Sequence, residues 1–395
     1  MPNGPAGRKL RSMKPNPNQI EIPAAFYRGG TSKGVFFHER DLPPERAVRD
    51  QIFLDVIGSP DPYKRQLNGM GGGISSLSKV VSIGPATRPD ADVDYTFAQI
   101  AVDRPAVDYA TNCGNLSSAV GPFAIDEALF KPSTTDGTTT VRLHNTNTGV
   151  VIHAAVPVAG GRAAVAGDFE IQGVHGTGAR IQLDYLKPGG ATTGKLLPAD
   201  DPLVDLDVPG EGRLQVSLVD AATGMVFVAA EALGLTATET PDEIDNNAEL
   251  MARLDRIRRA AGVRMGLANR PEDVPLTNPR IGLLARPTDF KAIDGRTVAS
   301  DAQDITVRIL SMTNIHRVSP LTSALCLAAA SRIEGTLAHA MARGSGGDLC
   351  IGTPSGVLPV GAEVVRENGG WHANYTRSYR TARRLMQGAV LIPRT

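Results

Sequence analysis

The chain is poor in cysteine, poor in aromatic side chains and without surplus charge, and the shortages of cysteine and of charge each exclude a class of protein. Three cysteines in 395 residues cannot build a disulfide framework, so a reducing compartment, the cytoplasm, is expected. Forty-one Lys and Arg are matched by 41 Asp and Glu. No bulk field then draws nucleic acid or an anionic membrane, and neither is expected as a partner. No apolar run approaches the ~18 residues of a membrane helix. The seven histidines are scattered, with no H-x-H or H-E-x-x-H spacing, so no metal site is expected. The segments "GGTSKG" and "GMGGG" match neither the phosphate loop nor the dinucleotide fingerprint, and a serine triad is not expected either.

What is abundant is punctuation. Forty-two glycines and 28 prolines imply many tight turns and therefore many short strands. Residues 1–19, rich in Pro, Asn, Gly and Lys, read as a mobile tail, with Met13 a second candidate start. The rest contains an echo of itself. "IEIPAAFYRGGTSKGVFF" from Ile20 parallels "LQVSLVDAATGMVFV" from Leu214. Each is followed by a helical pattern, one opening in prolines at Pro43 and the other running from Pro241 to a closing Gly262. "LSSAVGPFAI" from Leu116 parallels "LTSALCLAAA" from Leu321, and "NTGVVIHAAV" from Asn147 parallels "PSGVLPVGAEV" from Pro354. Three matches in one order predict two similar α+β halves, residues 20–195 and 196–395, joined through the turn-rich segment 187–202. The strongly apolar helix of each half has little polar face, so a curled sheet is expected to wrap it, with a ligand cleft between the halves.

Four glycine- or serine-rich segments suit carboxylate binding by backbone N–H groups and hydroxyls. They supply Gly29, Gly30, Thr31 and Ser32; Gly71, Gly72, Gly73, Ser75 and Ser76; Asn112, Gly114 and Asn115; and Ser355 with Gly356. Cys113 stands in a turn at the head of the first apolar helix, where the N-terminus favours thiolate. Lys79 enters the apolar strand "VVSI", an awkward place for an ammonium unless it faces a cleft, where it can act as a base. His316 precedes the second apolar helix as Cys113 precedes the first and joins the candidate binding residues. Cys326 reads as core, and Cys350 as strand filler.

Taken together, "RGGTSKGVFF", "GSPDPY", "GMGGGISSLSK", "NCGNLSSAVGPFAI", "GDFEIQGV", "VRMGL" and "GTPSG" resemble the PrpF family of 2-methylaconitate isomerases and their relatives. The resemblance implies the diaminopimelate-epimerase-like fold and a cofactor-free shift of a proton and a double bond in an unsaturated di- or tricarboxylate. It places the catalytic lysine on Lys79 and the active-site cysteine on Cys113. One departure is Thr353, where the family pattern leads one to expect histidine, and it bears on substrate choice. The expected activity is 2-methylaconitate isomerisation in the methylcitrate route of propionate breakdown. The alternatives are 4-oxalomesaconate, 3-methylitaconate or aconitate as substrate, or a non-catalytic role beside an iron–sulfur methylcitrate dehydratase. A homodimer and that dehydratase are the macromolecular partners considered. A two-thiol amino-acid epimerase needs a cysteine at the head of both helices, and the repeat puts Val318 opposite Cys113.

Overall fold

The computed structural model describes residues 16–344 and 346–394. Met13 and the tail up to residue 15 lie outside the described residues, and Gln19 already opens the first strand. The chain forms two compact units. One comprises the chain up to Phe130, Asn145–Gly149 and everything from Ala382 onward; the other comprises Lys131–His144 and Val150–Thr381. The expected division at 195/196 falls inside the second of these.

In the first unit, β1 (Gln19–Gly29) and β2 (Ser32–His38) form a hairpin followed by α1 (Arg46–Ile57). Strand β3 (Lys79–Pro85) pairs parallel with β2, and β4 (Val93–Ile100) pairs antiparallel with β3. After the short β5 (Val107–Asp108) comes α2 (Gly114–Asp126). Val35, Phe36 and Phe37 on β2 are all fully buried, as a continuous apolar run requires of a strand covered on both faces. Alternation sends them opposite ways. Phe36 meets Phe123 of α2 at 5.8 Å, while Phe37 stacks on Phe53 of α1 at 6.0 Å. Each phenyl ring so buried contributes about 2 kcal/mol, which favours a sandwiched position for this strand over a surface one.

In the second unit, β6 (Gly137–Asn145), β7 (Val151–Ala159) and β8 (Ile181–Leu186) are followed by β9 (Val204–Val208), β10 (Gly212–Asp220) and β11 (Gly224–Ala229). The expected helix from Pro241 to Gly262 is in fact two. A short turn, Pro241–Asp245, is capped by Thr240, and α3 (Ala248–Arg264) is capped by Asn247. Gly262 does not close α3 but sits inside it, where a methyl group would stand 2.4 Å from Val274. It is a packing glycine, not a cap. Strand β12 (Arg280–Ala285) then pairs parallel with β11, and β13 (Ile305–Ser311) pairs antiparallel with β12. The short β14 (Asn314–Ile315) leads to α4 (Leu321–Ala330). Strands β15 (Leu349–Thr353), β16 (Gly356–Glu367) and β17 (Gly370–Arg380) form a meander whose last strand pairs with β8. Met225 and Phe227 of β11 face α4, while Val226 and Val228 face α3.

The fold is thus α+β with two similar element orders: a hairpin, an outer helix, a parallel strand, an antiparallel strand, a short strand and an apolar helix. Helix α2 packs on β1, β2 and β3, and α4 packs on β10, β11, β16 and β17. All residues of α2 from Leu116 to Ile125, and of α4 from Ser323 to Ala330, are buried. The last strand, β18 (Ala382–Pro393), returns to the first unit and pairs antiparallel along the length of β1.

Candidate active site

In the first unit two glycines bring distant segments together. The β1–β2 hairpin closes with Gly29 opposite Ser32, and Gly30 takes φ +51°, a left-handed value that glycine adopts without a Cβ penalty. A methyl group on Gly29 would stand 2.6 Å from the carbonyl oxygen of Asn115, so the turn lies directly against the first turn of α2. Asn115 Nδ2 donates to Thr31 Oγ1 at 3.0 Å. A methyl group on Gly34 would meet the Lys79 carbonyl oxygen at 2.8 Å and Leu116 Cδ1 at 2.9 Å. The hairpin turn, the start of β3 and the head of α2 are therefore neighbours. Residues 30–34 read G-T-S-K-G and so have the G-x-S-x-G spacing, but they span a hairpin. Ser32 opens β2 and is buried, whereas a hydrolase nucleophile needs an exposed strand-to-helix elbow.

Lys79 is the first residue of β3 and only 8% exposed. Its Nζ donates to Gln99 Oε1 at 2.6 Å and lies 4.9 Å from the centre of the Phe97 ring. No carboxylate among the described residues pairs with it. Gln99 is a residue that sequence reasoning missed. It stands directly opposite Lys79 on β4, and its Nε2 donates to the carbonyls of Ser75 and Ser78, both at 3.0 Å. One amide thus holds both the lysine and the serine loop. A glutamine in the otherwise apolar tail of "TFAQI" was the available signal. The same loop is shaped from the other side by Gln66, 1% exposed, whose Oε1 accepts from Gly73 N at 2.8 Å and Ser78 Oγ at 2.7 Å. Gly71, Gly73 and Ser76 are half-buried, and Gly72 and Ser75 are exposed.

Cys113 is the N-cap of α2, with φ −110° and ψ 98°, and its thiol makes no capping hydrogen bond. It is half-buried and free. Asn112 turns inward: its Oδ1 accepts from Tyr95 OH at 3.1 Å and from Ser117 Oγ at 3.3 Å. Tyr95, also missed from the sequence, therefore fixes the residue preceding the thiol. Gly114 begins the helix, whose first N–H groups have no partner within it and carry its positive end.

The remaining candidates lie in the second unit. His316 Nδ1 accepts from the Val318 N–H at 3.2 Å, which leaves Nε2 as the donor nitrogen of the neutral ring. Burial, followed by the charge of Arg280, pushes this imidazole below its ordinary range. Ser355 Oγ donates to the Arg317 carbonyl at 2.7 Å, tying the β15–β16 turn to the segment of His316. Gly356 has φ +123°. Thr353 is fully buried, and its hydroxyl donates to the Gly356 carbonyl at 2.9 Å, closing this turn. The residue capping α4 is Pro320; neither it nor Val318 carries a transferable proton. Cys326 is fully buried with Sγ 3.4 Å from the Val219 carbonyl, and burial raises its thiol pKa. Burial, with Asp304 and Asp348, does the same for Cys350. Among the described residues no group of three His, Cys, Asp or Glu could hold a metal ion, and no helix is long and apolar enough to cross a membrane.

Gln99→Leu removes the acceptor for Lys79 and both tethers of the serine loop. Misplacing a reacting group by about 1 Å costs on the order of a hundredfold. The expected result is a kcat lowered about tenfold to a hundredfold with little change in the thermal midpoint. Wild-type kcat in this variant would show that Gln99 does not position the lysine.

Residues 19–393 match the family described as PrpF protein. The 3-methylitaconate isomerase of Eubacterium barkeri is 40% identical over 381 residues, covering 95% of this chain and 98% of its own. The 2-methyl-aconitate isomerase of Shewanella oneidensis is 39% identical over 391 residues, covering 96% and 98%. The 4-oxalomesaconate tautomerase of Pseudomonas putida is 37% identical over 380 residues, covering 95% and 97%. A crystal structure of methylitaconate-delta-isomerase superposes with a TM-score of 0.89 at 40% identity, covering 95% of this chain and 96% of that one. With one family matched over nearly the whole chain and isomerases similar along its full length, the protein belongs to the PrpF family and is an isomerase.

Proposed function

We propose that the protein transfers a proton between the two ends of an allylic system in an unsaturated di- or tricarboxylate, moving the double bond, and that its substrate is 2-methylaconitate of the methylcitrate route. One observation carries this reading. Lys79 is held by a neutral amide rather than a carboxylate, on a strand that Gly34 joins to the head of α2, where Cys113 stands. An amine in that setting can take a proton from carbon without a competing ion pair.

In this mechanism Lys79 removes the proton from the allylic carbon. The C–H electron pair becomes the new C=C bond, and the old double bond shifts its electrons onto the substrate carboxylate as a dienolate. The N–H groups at the head of α2 and the turn at Gly29–Ser32 stabilise that charge, which is usually the largest single term in such catalysis. Cys113 donates the proton at the far end, and the dienolate collapses to product. His316, Ser355 and Gly356 stay candidate carboxylate-binding residues, with Ser355 tied to the segment of His316 through the Arg317 carbonyl. No cofactor takes part.

Relatives with three different named substrates lie between 37% and 40% identity, so substrate choice needs a direct measurement. Purified protein alone, in deuterated water, is followed by NMR with 2-methylaconitate, 3-methylitaconate, 4-oxalomesaconate and aconitate. The expected result is the highest kcat/KM on 2-methylaconitate. Deuterium should also appear at the newly protonated carbon, because the Cys113 thiol that donates there exchanges its hydrogen with solvent between turnovers. Product free of deuterium after one turnover would point to sheltered transfer and against this route. Conversion of none of the four would favour the accessory role beside a dehydratase.

A further inference from the structure

Within the first unit, strand β4 reaches toward both Lys79 and Cys113. Tyr95, Phe97 and Gln99 alternate along it and so share one face. Ala98 and Ile100 point the other way, into the cluster around α1. At one end of the shared face Gln99 holds Lys79, and Phe97 lies against its ammonium. At the other end, about 13 Å along the strand, Tyr95 meets the head of α2. Asn147 pins the strand midway: its Oδ1 accepts from Phe97 N and its Nδ2 donates to the Phe97 carbonyl, both at 2.8 Å. One side-chain amide thus stands in for a neighbouring strand at that point.

A helix cap ordinarily uses its side chain to satisfy the first N–H groups, and Cys113 does not. Its place is held by other means. The Cys113 carbonyl accepts from Ser117 N at 2.9 Å and from Ser117 Oγ at 3.0 Å. Ser117 is fully buried, and its hydroxyl shares a further hydrogen bond with Tyr95 OH at 2.8 Å. Tyr95 OH also donates to Asn112 Oδ1 at 3.1 Å. One phenol, 2% exposed, therefore ties down the side chain before the thiol and, through Ser117, the carbonyl of the thiol residue itself. The sulfur stays out of the cap, which leaves it available to exchange a proton. Phenylalanine would fill the same core space. A buried hydroxyl is costly unless it is bonded, and here it is bonded to the two groups that flank the thiol.

We propose that Tyr95 is a positioning residue for Cys113, as Gln99 is for Lys79, so that the single strand β4 sets the separation of the two proton carriers. The roles of Lys79 and Cys113 rest on the isomerase reading above; the hold of Tyr95 on the thiol does not. Tyr95→Phe is read in two ways. One is the rate at which iodoacetamide alkylates Cys113, followed by peptide mass spectrometry. The other is kcat, measured in the wild-type and the Cys113→Ala backgrounds. A thiol displaced from the helix head, where thiolate is favoured, is expected to react about threefold to tenfold more slowly. A shift of about 1 Å costs on the order of a hundredfold, and loss of one hydroxyl allows a smaller one. In the wild-type background kcat should therefore fall about tenfold, with KM within about twofold. In the Cys113→Ala background, with no thiol left to position, the fall should be less than about twofold. An unchanged alkylation rate overturns the assignment. So does an equal loss of kcat in both backgrounds, which would show that the hydroxyl serves the fold in general. Should Tyr95→Phe fail to fold, Ser117→Ala removes the same link from the α2 side and must slow alkylation likewise. A wild type that converts no substrate sinks the isomerase reading, and the alkylation rates still decide the role of Tyr95.

Discussion

Lys79→Met folds normally and loses about a thousandfold or more of kcat on every substrate that the wild type converts. A positioned acid or base contributes about a hundredfold to ten-thousandfold, and a thioether of similar length cannot take a proton. The stem of Lys79 is buried beside Phe97, and only the bond to Gln99 is polar, so methionine fills the same space. The Gln99 amide that is left still donates to the carbonyls of Ser75 and Ser78, which keeps the loop in place. Steady-state kinetics with a thermal melt checks both halves of the statement. Turnover within a few-fold of wild type would remove Lys79 from the mechanism.

Cys113→Ala and Cys326→Ala should separate cleanly. Cys113 caps α2 without using its sulfur in the cap, so its loss leaves the helix unharmed while removing the proton donor. The expected fall in kcat is about a hundredfold or more. Cys326 lies in the core of the second unit. Its replacement leaves a small cavity, costs on the order of 1 kcal/mol of stability, and leaves kcat within about twofold. Equal activity of the two variants would refute the argument that a thiol at a helix head is chemical. Alkylation gives an independent reading: only Cys113 should react in parallel with loss of activity, since Cys326 is fully buried and the Cys350 thiol is pushed up by burial and two acids.

Much of this architecture is legible locally. The apolar runs of β2 and β11 demand burial on both faces, and the small-residue helices "LSSAVGPFAI" and "LTSALCLAAA" have no polar side to show to water. Their repetition in one order announces two similar halves. The turn residues around Cys113 already argue that its thiol is not core filler. The boundaries of α3 were less readable. Gly262 looks like a helix stop, because glycine is the common C-terminal cap, yet it is a glycine because Val274 presses against the helix there. A local rule cannot distinguish the two causes.

Residue type and spacing alone determined the two-half α+β plan, the helix heads, the candidate lysine and cysteine, and the absence of a disulfide framework. Each of these depends on periodicity, turn chemistry or composition, which act over a few neighbouring residues. Tertiary structure alone decided that β18 leaves the second half to pair with β1, and that Gln99 stands across from Lys79. It also decided that Asn112 is turned to Tyr95 and that Thr353 closes its own turn. These facts are set by strand register and by contacts between residues far apart in sequence. A one-residue slip in pairing exchanges the faces of every side chain, and no local pattern records which slip the packed core will choose.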